Sequence, residues 1–320
     1  MRMHRTLVLG ASLALVLGSA AVGEAQSALP SGPVGDPVVK MGSAGFNESA
    51  VVAEIWAQAL EAGGATVERN LLTGPRNLTW EALQAGADIN AMPEFVGFLL
   101  EYINGNAGES GPDTAATVAA LAARLAPFDM SVLGATPGGD VNAFVVTADT
   151  AQQYALTTLS DLAKVAGELS WGLPPECVTQ PLCAGALAKY GIDVSTLNVT
   201  ELAACGGEIV DALVSGGVQV GELCSTQPAI STNGLVVLQD DLATQPTGAL
   251  APVIRNDTLR ALQAQGIDVA SILDPVSASI TTEDLMALQQ RTDVDQEDLD
   301  VVARDFLTAK GLLPGASAAP

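Results

Sequence analysis

The chain has 320 residues, enough for two domains of ordinary size, and 48% of them are hydrophobic, so a sizeable core can form. Its formal net charge is -23, from 36 acidic and 13 basic residues, which repels a phosphate backbone and excludes nucleic acid as a partner. The one histidine, His4, stands at the extreme N-terminus, so the rest of the chain can run neither imidazole-based catalysis nor imidazole metal ligation.

Arg2, His4 and Arg5 precede an apolar run from Leu7 to Val22, and small residues follow. This is the layout of a secretory signal, expected over residues 1–25. At about 16 residues the run is short for a membrane span, which disfavours the alternative of an uncleaved anchor. No cysteine follows it, so a lipobox is not available. Residues 26–37 read as a flexible Pro/Gly/Ser-rich tether. A periplasmic or extracellular protein, soluble after signal cleavage, is therefore expected.

Alternation of strand and helix begins at once. A strand over 38–42 is followed by a helix over 47–61 capped by Asn47, with Val52, Ile55, Trp56, Ala59 and Leu60 on one face at helical spacing. A strand over 66–70, a helix to 85 capped by Asn77, a strand over 88–92 and a helix over 94–103 continue the pattern, and Asp113 caps a further helix to 125. After a strand at 131–133, residues 134–140 read as a crossing between lobes. Strands follow at 142–147 and 170–173, with a Ser160-capped helix between them and another helix reaching Tyr190. A strand near 197–199, a helix over 209–215 and strands at 219–223 and 235–238 complete the second series. The apolar residues 249–254 read as the return crossing, and a helical tail capped at Thr281 or Thr282 closes the chain, with 315–320 as a loose end. Parallel sheets with helices on their faces are expected. Residues 38–139 with 250–320 form lobe 1, and 140–249 form an inserted lobe 2, with a cleft at the seam. A single doubly wound domain is the alternative.

The four cysteines all lie beyond the signal, and an even number in an exported chain favours disulfides. Cys177 and Cys183 close a small loop. Cys205 and Cys224 each fall just past an expected strand and are paired with each other. Zinc is the alternative, but the five-residue spacing is loose for it. No G-x-S-x-G, G-x-G-x-x-G or P-loop occurs, so no catalytic residue, metal or cofactor is expected.

Gly42-Ser43-Ala44-Gly45-Phe46-Asn47-Glu48-Ser49 with the helix behind it, and Met92-Pro93-Glu94-Phe95-Val96-Gly97, resemble the solute-binding proteins of ABC importers for osmoprotectants such as glycine betaine and choline. Asn142 to Thr147, the run from Asn233 to Asp241, Leu285 to Asp295, and Lys310 to Leu313 match in the same order, so the resemblance extends over almost all of the chain beyond the tether. It implies an α/β, two-lobed periplasmic-binding-protein fold of type II, with a ligand cleft between the lobes and two crossover linkers. It also implies a monomer that passes a small osmolyte to an ABC permease, the ATPase being a separate protein. The loop Pro174 to Cys183 is similar to a cysteine-bracketed loop of that family. Phe95 stands where the family has tyrosine, Gln180 where it often has arginine, and Gln227 in place of aspartate.

A quaternary ammonium cannot donate hydrogen bonds, so aromatic faces and carboxylates hold it, while donors hold a carboxylate. Phe46 and Phe95 supply rings, Glu48, Glu94 and Asp140 negative charge, and Asn142, Ser225 and Thr226 polar contacts. Phe95 and Thr226 are expected to oppose each other across the water of the cleft. A module that senses a different small solute and signals to a membrane receptor is the second reading, and an enzyme on the same scaffold the third.

Overall fold

The computed structural model describes residues 37–313. The expected signal (1–25), the tether except its last residue, and the loose end lie outside the described residues.

Among the described residues, ten strands build two five-stranded sheets. The first holds β1 (Val38–Gly42), β2 (Thr66–Asn70), β3 (Ala91–Phe95), β4 (Met130–Val132) and β10 (Leu250–Arg255), in the order β2-β1-β3-β10-β4. The second holds β5 (Asn142–Thr147), β6 (Ser170–Leu173), β7 (Asn198–Glu201), β8 (Val220–Cys224) and β9 (Leu235–Val237), in the order β7-β6-β8-β5-β9. Both sheets are mixed rather than parallel. β10 runs antiparallel to β3 and β4, and β5 runs antiparallel to β8 and β9. The cause is the same in each case: the chain returns to a sheet from the opposite end after crossing. The apolar run expected as the return crossing is therefore β10 itself, a buried strand of the first sheet, and the crossing precedes it.

Helix α1 (Asn47–Ala62) is buried on nearly every side from Glu48 to Ala57, not along one stripe. It lies over the first sheet and is covered in turn by the helices Val269–Ala278 and Leu299–Ala309. Its N-cap is Phe46 and no side chain caps it; Asn47 instead donates from Nδ2 to Asp293 Oδ1 at 2.7 Å. Helix α2 (Arg76–Ala85) has its N-cap at Pro75 rather than at Asn77. The strand expected over 88–92 is displaced to Ala91–Phe95 and passes through Pro93, so α3 (Val96–Asn104) starts two residues later than expected. Pro93 is tolerated inside the sheet because its register partner is Pro252, so neither is asked for an N–H by the other. Asp113 does cap α4 (Thr114–Leu125), accepting from Ala116 N at 3.1 Å. In the second half the cap is Thr158, in a reciprocal box with Asp161, rather than Ser160. Thr281 forms the same box with Asp284. The helix expected to reach Tyr190 is a broken series of short turns ending in Ala186–Lys189, interrupted by two prolines and the cysteine loop.

Each sheet has its own core. Trp56, Ile55 and Leu60 sit fully buried beside the first sheet. Phe144 and Trp171 pack edge to face at 6.4 Å in the second, and Trp171 Nε1 donates to Ala166 O at 3.0 Å. Both disulfides, Cys177–Cys183 and Cys205–Cys224, are present and both belong to the second sheet's surroundings.

The two connections between the sheets run side by side. Gly139 bridges Ala249 in antiparallel register, and Asp140 N donates to Gly248 O at 3.1 Å. A Cβ on Gly139 would meet the Gly248 carbonyl carbon at 2.2 Å, and one on Gly248 would meet Asp140 O at 2.0 Å. Only glycine permits this approach. Gly139→Ala and Gly248→Ala are each expected to destabilise the protein by roughly 1–3 kcal/mol or more through forced displacement of backbone, read as a lower urea midpoint at constant slope.

Candidate functional site

A cavity of about 1070 Å³ opens between residues of the two sheets. From the first come Arg76, Phe98, Glu101 and Tyr102, with the loop from Asn106 to Pro112. From the second come Asn142, Glu222, the cysteine loop from Pro174 to Cys183, and Cys205. The connection at 243–246 closes one side. The architecture dictates this lining: α2 and α3 begin where β2 and β3 end, and the cysteine loop leaves the C-terminal end of β6. A smaller cavity of about 360 Å³ holds Phe46, Ser49, Arg76, Glu94 and Phe95, and Arg76 lines both.

Three phenyl rings link the two cavities. Phe46 stacks on Phe95 at 6.2 Å between centroids and 24° between planes, and Phe95 meets Phe98 edge to face at 6.1 Å. Phe46 is 46% exposed whereas Phe95 is nearly buried. Beside them Arg76 Nη2 lies 3.1 Å from Glu94 Oε2. Burial pushes the Glu94 carboxyl up, against the guanidinium that favours its ionised form.

The remaining sequence-predicted residues divide. Asn142 lines the large cavity, its Nδ2 3.4 Å from Leu182 O. Glu48, Asp140, Ser225 and Thr226 line neither cavity. They form a hydrogen-bonded junction between the two sheets' surroundings. Thr226 Oγ1 donates to Glu48 Oε2 at 3.3 Å, while Asp140 Oδ1 accepts from Ser225 Oγ and from Thr226 N, each at 3.1 Å. Ser225 Oγ in turn accepts from Val141 N at 3.0 Å. Thr226 is fully buried, so it does not face Phe95 across water. The turn after β8 folds back onto the first connection instead of entering the cleft, because its N–H and hydroxyl groups satisfy Asp140 there.

Sequence reasoning missed Arg76, Phe98, Tyr102, Glu222 and Gln245 as cavity residues. Arg76 and Phe98 carried a usable signal: each starts or lies one turn into a helix that follows a strand of the first sheet. Glu222 and Gln245 carried none.

Glu48 Oε1 has no partner, and burial, then Asp140 and Asp293, raise the Glu48 carboxyl well above the ordinary carboxylate range. Burial raises Asp140 also. A carboxyl with a raised folded pKa binds its proton more tightly when folded. Its contribution to stability is therefore complete below the unfolded value of about 4.3 and is lost as pH rises. Glu48→Gln, which keeps the Thr226 contact and carries no charge, is expected to raise Tm relative to wild type at pH 8 and to leave it unchanged at pH 4. Paired thermal melts at the two pH values check this.

A family model described as "Substrate binding domain of ABC-type glycine betaine transport system" matches residues 37–309. The chain belongs to that family. The glycine betaine-binding protein YehZ of Escherichia coli is 26% identical over 285 residues, covering 85% of this chain and 90% of the relative. A glycine-betaine-binding protein of Pseudomonas aeruginosa is 24% identical, covering 88% and 90%. A crystal structure of a glycine betaine/carnitine/choline ABC transporter protein superimposes with a TM-score of 0.74 at 24% identity, over 87% of this chain and 99% of the other. This substrate-binding family member therefore has the two-lobed periplasmic-binding-protein fold.

Proposed function

We propose that the protein captures a zwitterionic or quaternary-ammonium osmolyte of the glycine betaine and choline class in the 1070 Å³ cavity, and delivers it to an ABC permease. In this reading residues 38–139 with 250–320 form one lobe and 140–249 the other. The observation that carries it is the make-up of that cavity's wall. Aromatic rings of Phe98 and Tyr102 stand on the first lobe's side, carboxyls of Glu176 and Glu222 on the second's, and the Arg76 guanidinium on the wall as well. Rings and carboxylates suit a cation that cannot donate a hydrogen bond, and a guanidinium suits a carboxylate. The Phe46–Phe95 stack supports Phe98 from behind. The same reading takes the protein to be exported, monomeric and non-catalytic, with the ATPase as a separate subunit; the family membership supports it.

Calorimetry of ligand-stripped protein against glycine betaine, choline, proline betaine, carnitine and ectoine tests the reading; no heat from any of the five would sink it. Phe98→Ala is expected to weaken binding by about 1–2 kcal/mol, roughly a five- to thirty-fold rise in Kd. Unchanged affinity would remove the ring from the site.

A further inference from the structure

Glu222 is the one buried carboxyl on the wall of the large cavity that no basic group answers, among the described residues. It stands on β8 opposite Phe144 and is 5% exposed. Its Oε2 lies 3.1 Å from Sγ of Cys183. That sulfur is bonded to Cys177 and has no proton to give, so the contact is a hydrogen bond only when the carboxyl itself supplies the hydrogen. Other charged groups on the cavity do not neutralise it. Arg76 is engaged by Glu94, Glu101 accepts from Gly108 N and Ser110 N, Lys189 is exposed without an ion pair to it, and Glu176 carries like charge.

We propose that Glu222 is the seat of the ligand's positive end, and that it releases a proton to solvent when the cation arrives. This rests on the osmolyte reading above and deepens it. In the empty cavity the carboxyl is protonated and leans on the Cys177–Cys183 disulfide. A bound quaternary ammonium or amine supplies the missing countercharge, and the carboxyl ionises against it. The only bond broken is the Glu222 O–H bond: its proton passes to a buffer base as the cation enters, and the carboxylate left behind balances the cation's charge. Burial, with repulsion from Glu176, holds this carboxyl up at about 7, inside the range where such an exchange is visible.

Ligand affinity then depends on pH with a definite sign. Below about 7 the proton competes, so affinity falls by up to about tenfold for each pH unit lost; above about 8 it levels off. The experiment is calorimetry of glycine betaine, choline and tetramethylammonium between pH 5 and 8.5, in pairs of buffers of different ionisation enthalpy. Near pH 7 the wild type is expected to release on the order of half a proton per cation bound. Glu222→Gln is expected to release none, to lose the pH slope, and to bind choline at least tenfold more weakly at pH 8. Glu176→Gln serves as the second variant: with the repulsion gone, the midpoint of the wild-type pH profile moves to lower pH. Binding without proton release, or a Glu222→Gln variant with the wild-type pH slope, overturns the assignment and leaves the osmolyte reading intact. Silence from every ligand in the wild type overturns both.

Discussion

A buried side-chain hydrogen bond joins the two halves of this molecule: the Thr226 hydroxyl to the Glu48 carboxyl. Its partners are set by the fold around them. α1 is wrapped by sheet and helices, so the carboxyl in its first turn has no route to water. The turn after β8 is held by Asp140, which takes both the Thr226 N–H and the Ser225 hydroxyl. A carboxyl placed there can stay only if it is protonated or paired. Thr226 satisfies one of its oxygens, and Asp140 and Asp293 discourage its charge. The junction thus fixes where the second sheet's surroundings meet the first, and the cavity walls are positioned from it.

The electrostatics of the cavity follow a different rule from those of the surface. Outside it, the acidic groups that have a basic partner are paired at or near the surface, as in the bridges from Arg291 to Glu297 and Asp305. Such pairs add little to stability individually. Inside, Glu94 has its guanidinium and Glu222 has none. A buried group with a built-in partner is structural; one without a partner is waiting for what the cleft admits. The aromatic relay from Phe46 through Phe95 to Phe98 gives that cleft a rigid apolar wall.

Most strand positions, the alternation of strand and helix, the first connection and both cysteine pairs were legible because each rests on local chemistry: apolar runs, glycine turns and short spacing; the return crossing was misplaced onto β10. Sheet direction was not legible, since β10 shows the same apolar run whichever way it enters. Pro93 misplaced the start of α3 because its tolerance depends on Pro252, about 160 residues away, a fact of register alone. Phe46 and Phe95 were found from their place after strands, and they do share a cavity. Glu48, Asp140, Ser225 and Thr226 were read as cleft residues, Asp140 from its place at the first crossing, Glu48 from a helix start and the other two from a strand end; they meet in a hydrogen-bonded junction and line neither cavity. Whether a turn ends in water or folds onto a connection is decided by its partners' hydrogen bonds, which sequence spacing does not encode. Glu222 was invisible for a related reason: on β8 it is an acidic residue in an apolar strand, and only the disulfide above it reveals its state.

The glycine contact at positions 139 and 248 has a mechanical meaning. Two strands of chain that touch backbone to backbone and share hydrogen bonds behave as a narrow ribbon rather than as two separate tethers. A ribbon flexes across its thin dimension and resists sliding along its length. Any opening of the cleft must therefore swing the halves about this strip without shifting them past each other, and a closing stroke returns Arg76 and Asn142 to the same alignment each time.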